Sequence, residues 1–135
     1  MKDEAHFQTL FSHYLKAKFL PTREGGFAFE LKHTHGKKFL PYSRVEPHQI
    51  AALLATRTIG LYYKLSDESR SYKPFDCFAM KGCDAYIVIK YPSCFVLIDV
   101  RDFIKERDYA RGKSLKEDRA KEIASIVEDM SNVPH

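Results

Sequence analysis

The chain lacks several features that would direct its reading elsewhere. Its 135 residues hold no uninterrupted apolar run near the ~18 residues needed for a bilayer-spanning helix, so no membrane partner is expected. The start, Met1-Lys2-Asp3-Glu4, leads into an amphipathic segment without the apolar stretch of a secretory signal. The expectation is a protein that stays where it is made, in the cytoplasm. Cysteine is scarce: Cys77, Cys83 and Cys94 are odd in number and match no common zinc spacing, which argues for reduced thiols used as small packing residues. No glycine-rich loop with a lysine marks a nucleotide-binding turn, and no Cys/His pair with a supporting acid marks nucleophilic catalysis. Internal repeats, low-complexity tracts and long linkers are missing too. One domain over residues 1–135 is expected, with 131–135 as a frayed tail.

What is present fits a folded α/β protein. A hydrophobic content of 44% supplies a core, and 30% charged residues keep the surface solvated. The net charge of +4 permits a phosphate-backbone partner without demanding one. Residues 4–17 place Phe7, Leu10, Phe11, Tyr14 and Leu15 on one helical stripe. Pro21 and Gly25-Gly26 break the chain. Phe27 to Lys32 then alternates strictly, which predicts a strand with Phe27, Phe29 and Leu31 on the core side and Ala28, Glu30 and Lys32 on the other. Residues 33–43 read as a polar loop or hairpin tip. Pro47 opens a helix to about Arg57, with Ile50, Leu53 and Leu54 inward. Strands are expected at Leu61–Leu65, Phe75–Met80, Ala85–Tyr91 and Cys94–Val100; the third is apolar enough to be central and covered on both faces. Ser114-Leu115-Lys116-Glu117 has the form of a capping box, predicting a last helix to about Met130 with Leu115, Ala120, Ile123 and Val127 inward.

The chemistry centres on Glu30 and Lys32. Two residues apart on a strand, they project into the same space. A carboxylate there can hold a hard divalent cation. An adjacent lysine can orient water and offset charge on a phosphate, which with another acidic ligand suits metal-assisted phosphodiester hydrolysis. The spacing alone also fits an ordinary solvated face. Its setting is more specific: Phe29-Glu30-Leu31-Lys32, a basic loop, Phe39-Leu40-Pro41, then His48-Gln49 opening a helix with Ile50 and Leu53. This arrangement resembles the PD-(D/E)XK nuclease superfamily, and within it the Holliday-junction resolvase branch with archaeal-type and RecU-like members. The resemblance spans roughly residues 4–104, and its specific part is 27–54.

The resemblance implies a restriction-endonuclease-like α/β fold, a central mixed β-sheet flanked by helices. It implies Glu30 as a metal ligand, Lys32 as the catalytic lysine, the Leu31 carbonyl as a further ligand, and Gln49 holding the site or the scissile phosphate. Magnesium would be the cofactor, with manganese able to substitute. The partner would be branched DNA, a four-way junction cut by a homodimer. The chain departs from the family at the first acid, an Asp on the strand before Glu-x-Lys. Between Ala5 and Phe29 the one acid is Glu24. Candidates for the missing carboxylate are Asp76, among Phe75, Cys77 and Phe78, then Glu24, then Glu4 of the first helix, one turn before Gln8, which holds the position where family members often carry a Glu. Lys37, Lys38 and Arg44 after the active strand, and Arg70 and Lys73 before Asp76, are candidate phosphate contacts that position DNA without reading its sequence. His33 and His35 are expected as exposed loop histidines. Three other readings remain open: a non-catalytic nucleic-acid-binding module of the same fold, a repair- or restriction-type nuclease of the superfamily, and a small protein-interaction domain with no nucleic-acid partner.

Overall fold

The computed structural model describes residues 2–58, 61–64, 77–80 and 83–130, with side chains described in 4–57 and 83–130. The first helix, α1, covers Lys2–Tyr14 and continues as a wider turn over Leu15–Phe19 before Pro21 closes it. Then come β1 (Phe27–His33), β2 (Phe39–Pro41) and α2 (Pro47–Thr58). A hairpin follows, β3 (Leu61–Lys64) against β4 (Cys77–Met80). The rest is β5 (Asp84–Lys90), β6 (Cys94–Asp99), α3 (Val100–Tyr109), β7 (Ser114–Lys116), α4 (Glu117–Ile123) and β8 (Ile126–Asp129).

The architecture is mixed α/β. Its main sheet runs β1-β5-β6-β8; β1 and β5 are parallel, and the other pairs are antiparallel. A parallel pair needs a crossover, and α2 lies in that connection. Every second residue of a strand shares a face, so the sheet has two apolar sides. On one side Val88, Phe95 and Leu97 meet Phe7, Leu10, Phe11 and Tyr14 of α1, with Phe27, Phe29 and Leu31 at the margin. On the other, Ala85, Ile87, Ile89, Val96 and Ile98 pack under Ile50 and Leu53 of α2, Phe103 of α3 and Ala120 of α4. The expected central strand is therefore β5, buried on both faces.

The C-terminal third departs from expectation in two places. Val100 starts a helix rather than ending a strand. Asp99 caps it, its Oδ1 accepting the Arg101 N–H at 2.9 Å. The single helix expected from Ser114 to Met130 is instead strand, short helix and strand. Leu115 pairs opposite Leu40 of β2, and its carbonyl accepts the Tyr91 hydroxyl at 2.8 Å, so this stretch is held extended from two sides. Val127, expected inward, is 43% exposed and pairs opposite Val96 as edge strand. A short strand, β2, also interrupts the loop expected over 33–43.

Glu117 fails as a capping-box acid because it is drawn inward. Its carboxylate accepts the Ser93 hydroxyl at 2.6 Å and the Cys94 thiol at 3.5 Å. Burial pushes its carboxyl pKa up, but the hydrogen bonds from Ser93 and Cys94 and the Lys121 ammonium pull harder, leaving it below the ordinary value. A carboxyl depressed by folding contributes stability above its unfolded pKa, and that contribution disappears as pH falls through the folded one. Glu117→Gln is therefore expected to cost stability at neutral pH and to flatten the acid side of a Tm-against-pH profile. Parallel profiles for the two proteins would refute this role.

Candidate functional site

β1 is an edge of the main sheet among the described strands, and this position sets the candidate site. Its register places Ala28, Glu30 and Lys32 beside Ala85, Ile87 and Ile89 of β5, on the α2 side of the sheet. The Lys32 Nζ stands 4.0 Å from the Glu30 Oε1, with 16% of the lysine side chain and 27% of the glutamate side chain exposed. The pair thus combines solvent access at the sheet edge with an apolar floor. Partial shielding strengthens the attraction between the two charges compared with open water.

The ladder also orients the backbone of Leu31. In a parallel pair, a residue's N–H and C=O point to the same side, and successive residues alternate. Gly26 accepts from Asp84, and Thr34 donates to Lys90, so even-numbered residues of β1 face β5. Leu31 accordingly turns its carbonyl to the open edge, one residue along the strand from the one that carries the Glu30 carboxylate. Both are hard oxygen donors of the kind magnesium accepts.

The remaining candidates fall into different places. Gln49 sits in the first turn of α2, where its Oε1 accepts the Glu46 N–H at 2.9 Å; the helix uses it as its own cap. Gln8 of α1 borders a shallow hollow of about 380 Å³ on the α1 side of the sheet, with Phe11, Phe29 and Leu31; Glu30 reaches it at the strand edge, since its register puts its side chain on the α2 side. Glu24 is exposed in the turn before β1, and no described strand precedes β1. Glu4 is exposed and lies 4.0 Å from Arg44. Asp76, Arg70 and Lys73 lie outside the described residues, as does the expected tail. Among the described residues, no three His, Cys, Asp or Glu side chains are grouped to hold a metal. Cys83 and Cys94 are buried free thiols, and burial followed by the Glu117 hydrogen bond pushes Cys94 up to about 11.

Beyond β1 the chain turns tightly. Lys37 N–H bonds to Thr34 C=O at 3.2 Å, and the central residues His35 and Gly36 have φ of 56° and 86°. Two positive φ values in a four-residue turn favour glycine at one centre and tolerate histidine at the other. The His35 N–H donates to the His33 Nδ1 at 2.7 Å, and the His33 ring lies edge-on to Phe7. His33 is thus half-buried and built into the turn, whereas His35 is exposed as expected. Lys37, Lys38 and Arg44 are all exposed on the following segment.

A second ionic cluster escaped the sequence reading. Arg57, in the last turn of α2, donates to the Asp99 Oδ2 at 2.9 Å and lies 3.5 Å from the Asp84 Oδ1. It ties α2 to the ends of β5 and β6. An aspartate between an apolar strand and the stripe Val100, Phe103, Ile104 was the available signal. In the main-sheet register Asp84 is level with Phe27, three residues before Glu30, and Asp99 is level with Phe29 but lies on β6, with β5 between them. No described helix is long and apolar enough to cross a membrane. No known family model matches the chain, and no curated protein matches it.

Proposed function

We propose that this chain is a metal-dependent endonuclease of the PD-(D/E)XK kind, with a restriction-endonuclease-like sheet, which resolves four-way DNA junctions in recombination and repair. The observation that carries the reading is the Glu30–Lys32 pair, 4.0 Å apart at a sheet edge beside a carbonyl turned outward. Glu30 and the Leu31 carbonyl would hold magnesium, with Asp76 as the acid that completes the set. Bound magnesium, or manganese in its place, would neutralise charge on the phosphate and ease deprotonation of water. Lys32 would donate to a phosphoryl oxygen and orient the attacking water. Gln49, whose oxygen accepts the Glu46 N–H, would offer its amide nitrogen to the phosphate from the start of α2. Lys37, Lys38, Arg44, Arg70 and Lys73 would hold the flanking backbone. One such pair cuts one strand, so symmetric resolution calls for a homodimer whose two-fold axis matches that of the junction.

The test is cleavage of a labelled four-way junction and a matching linear duplex by wild type and Glu30→Gln, with magnesium, manganese or EDTA. Wild type should nick the junction symmetrically, spare the duplex and stop in EDTA; Glu30→Gln should bind the junction and leave it intact. Equal cutting of both substrates would move the reading to a repair- or restriction-type nuclease. Binding without cutting in either metal would replace the enzyme with a non-catalytic nucleic-acid-binding module.

A further inference from the structure

Phe39 is a large apolar side chain left 40% exposed on a firmly anchored strand. Backbone bonds fix its neighbours: Glu117 N–H to Lys38 C=O at 2.8 Å and Tyr42 N–H to Lys113 C=O at 2.9 Å. Phe39 itself pairs opposite Lys116 of β7. The ring is therefore held at the surface by its backbone. It forms a ridge between two hollows, because it lines both. The smaller, about 170 Å³, is bordered by His35, Lys37 and Arg44, with no acid among the described residues of its lining. Arg44 keeps only a loose surface approach to Glu4, at 4.0 Å. The larger, about 310 Å³, is bordered by Lys38 and Lys116 but also by Glu117 and Asp118. The Lys37 Nζ lies 5.6 Å from the centre of the Phe39 ring.

We propose that this ridge is a subsite for one unpaired nucleotide, with its base stacked on Phe39 and its phosphate in the basic hollow. The division follows from charge. A phosphate is repelled by Glu117 and Asp118 and attracted by Lys37 and Arg44. A neutral base has no such conflict, and its ring nitrogens and amino groups suit a hollow carrying both donors and acceptors. Aromatic stacking beside cationic side chains is the general means of holding single strands, since every base offers a flat face. The inference rests on the nucleic-acid reading above and adds to it a preference for unpaired bases, such as those exposed where duplexes branch.

The experiment measures binding of a labelled oligothymidylate and a duplex of equal length, by fluorescence anisotropy in EDTA so that no cleavage is involved. The proteins are wild type, Phe39→Ala, Phe39→Tyr and the double variant Lys37→Ala/Arg44→Ala. Phe39→Ala should weaken single-strand binding about tenfold and duplex binding less than twofold, while Phe39→Tyr keeps wild-type affinity. The double variant should lower the slope of log affinity against log salt by about 0.7, one phosphate's worth. Wild type that binds no single strand, or Phe39→Ala that binds it as wild type does, overturns the subsite. So does equal weakening toward both DNAs. Junction cleavage by wild type in magnesium is scored separately, so the subsite can fail while the enzyme reading stands, and the reverse.

Discussion

Phe95→Ala is expected to cost about 3–5 kcal/mol, a large part of the 5–15 kcal/mol typical of a domain. Phe95 is fully buried on β6, and its ring lies 4.9 Å from that of Tyr14 and 5.8 Å from those of Phe7 and Phe11. Those three side chains are most of the stripe that docks α1, so one substitution removes the surface that the helix was built to cover. The cavity would be bordered by three rings of α1, two of them braced against Phe29 and Phe19, which limits collapse and favours the upper part of the range. Phe95→Leu keeps most of the volume and should cost less than about 1.5 kcal/mol. Urea denaturation checks both. A loss below 1 kcal/mol for the alanine variant would show that α1 is held by something else. A reduced m-value would show that α1 has already left the sheet before the main transition.

That α1 stripe was legible because its period is undisturbed: Phe7, Leu10, Phe11 and Tyr14 are all buried. The alternation of β1 was equally plain, and with it the shared face of Glu30 and Lys32, which needs no knowledge of tertiary structure. The last third was harder for a physical reason. Ser114, Leu115 and Glu117 carry a local helix-start signal, but β2 and Tyr91 offer that backbone partners distant in sequence, and these outweigh a capping preference of about 1 kcal/mol. Val127 shows the same override, since Val96 supplies a strand to pair with. The Arg57–Asp99 tie was hidden because its residues are 42 apart, and sequence periodicity reports only neighbours. The basic turn was visible as composition alone. The division of its charges around Phe39 arises from the pairing of β2 with β7, which joins Lys116 to Phe39 across the fold.

The Glu30–Lys32 pair can be an ion pair kept for stability or a site kept for chemistry, and the two uses make opposite predictions. Lys32→Met removes the ammonium but keeps an unbranched stem on the apolar floor of Ile87 and Ile89. Junction cleavage should fall at least a hundredfold, about 2.7 kcal/mol of transition-state stabilisation, with junction affinity within a few-fold of wild type. Stability should move little, because the pair is partly solvated and its charges are 4.0 Å apart. The double variant Glu30→Gln/Lys32→Met should be at least as stable as wild type. Removing both charges relieves their desolvation, whereas a structural pair would leave the double variant weaker. A cycle of the four proteins in urea, with cleavage measured in parallel, separates the two cases. A coupling energy above about 1 kcal/mol in stability, together with undiminished cleavage by Lys32→Met, would make the pair a structural clasp and end the catalytic reading. A double variant that is stable, binds the junction and does not cut would show that β1 carries these two charges for chemistry.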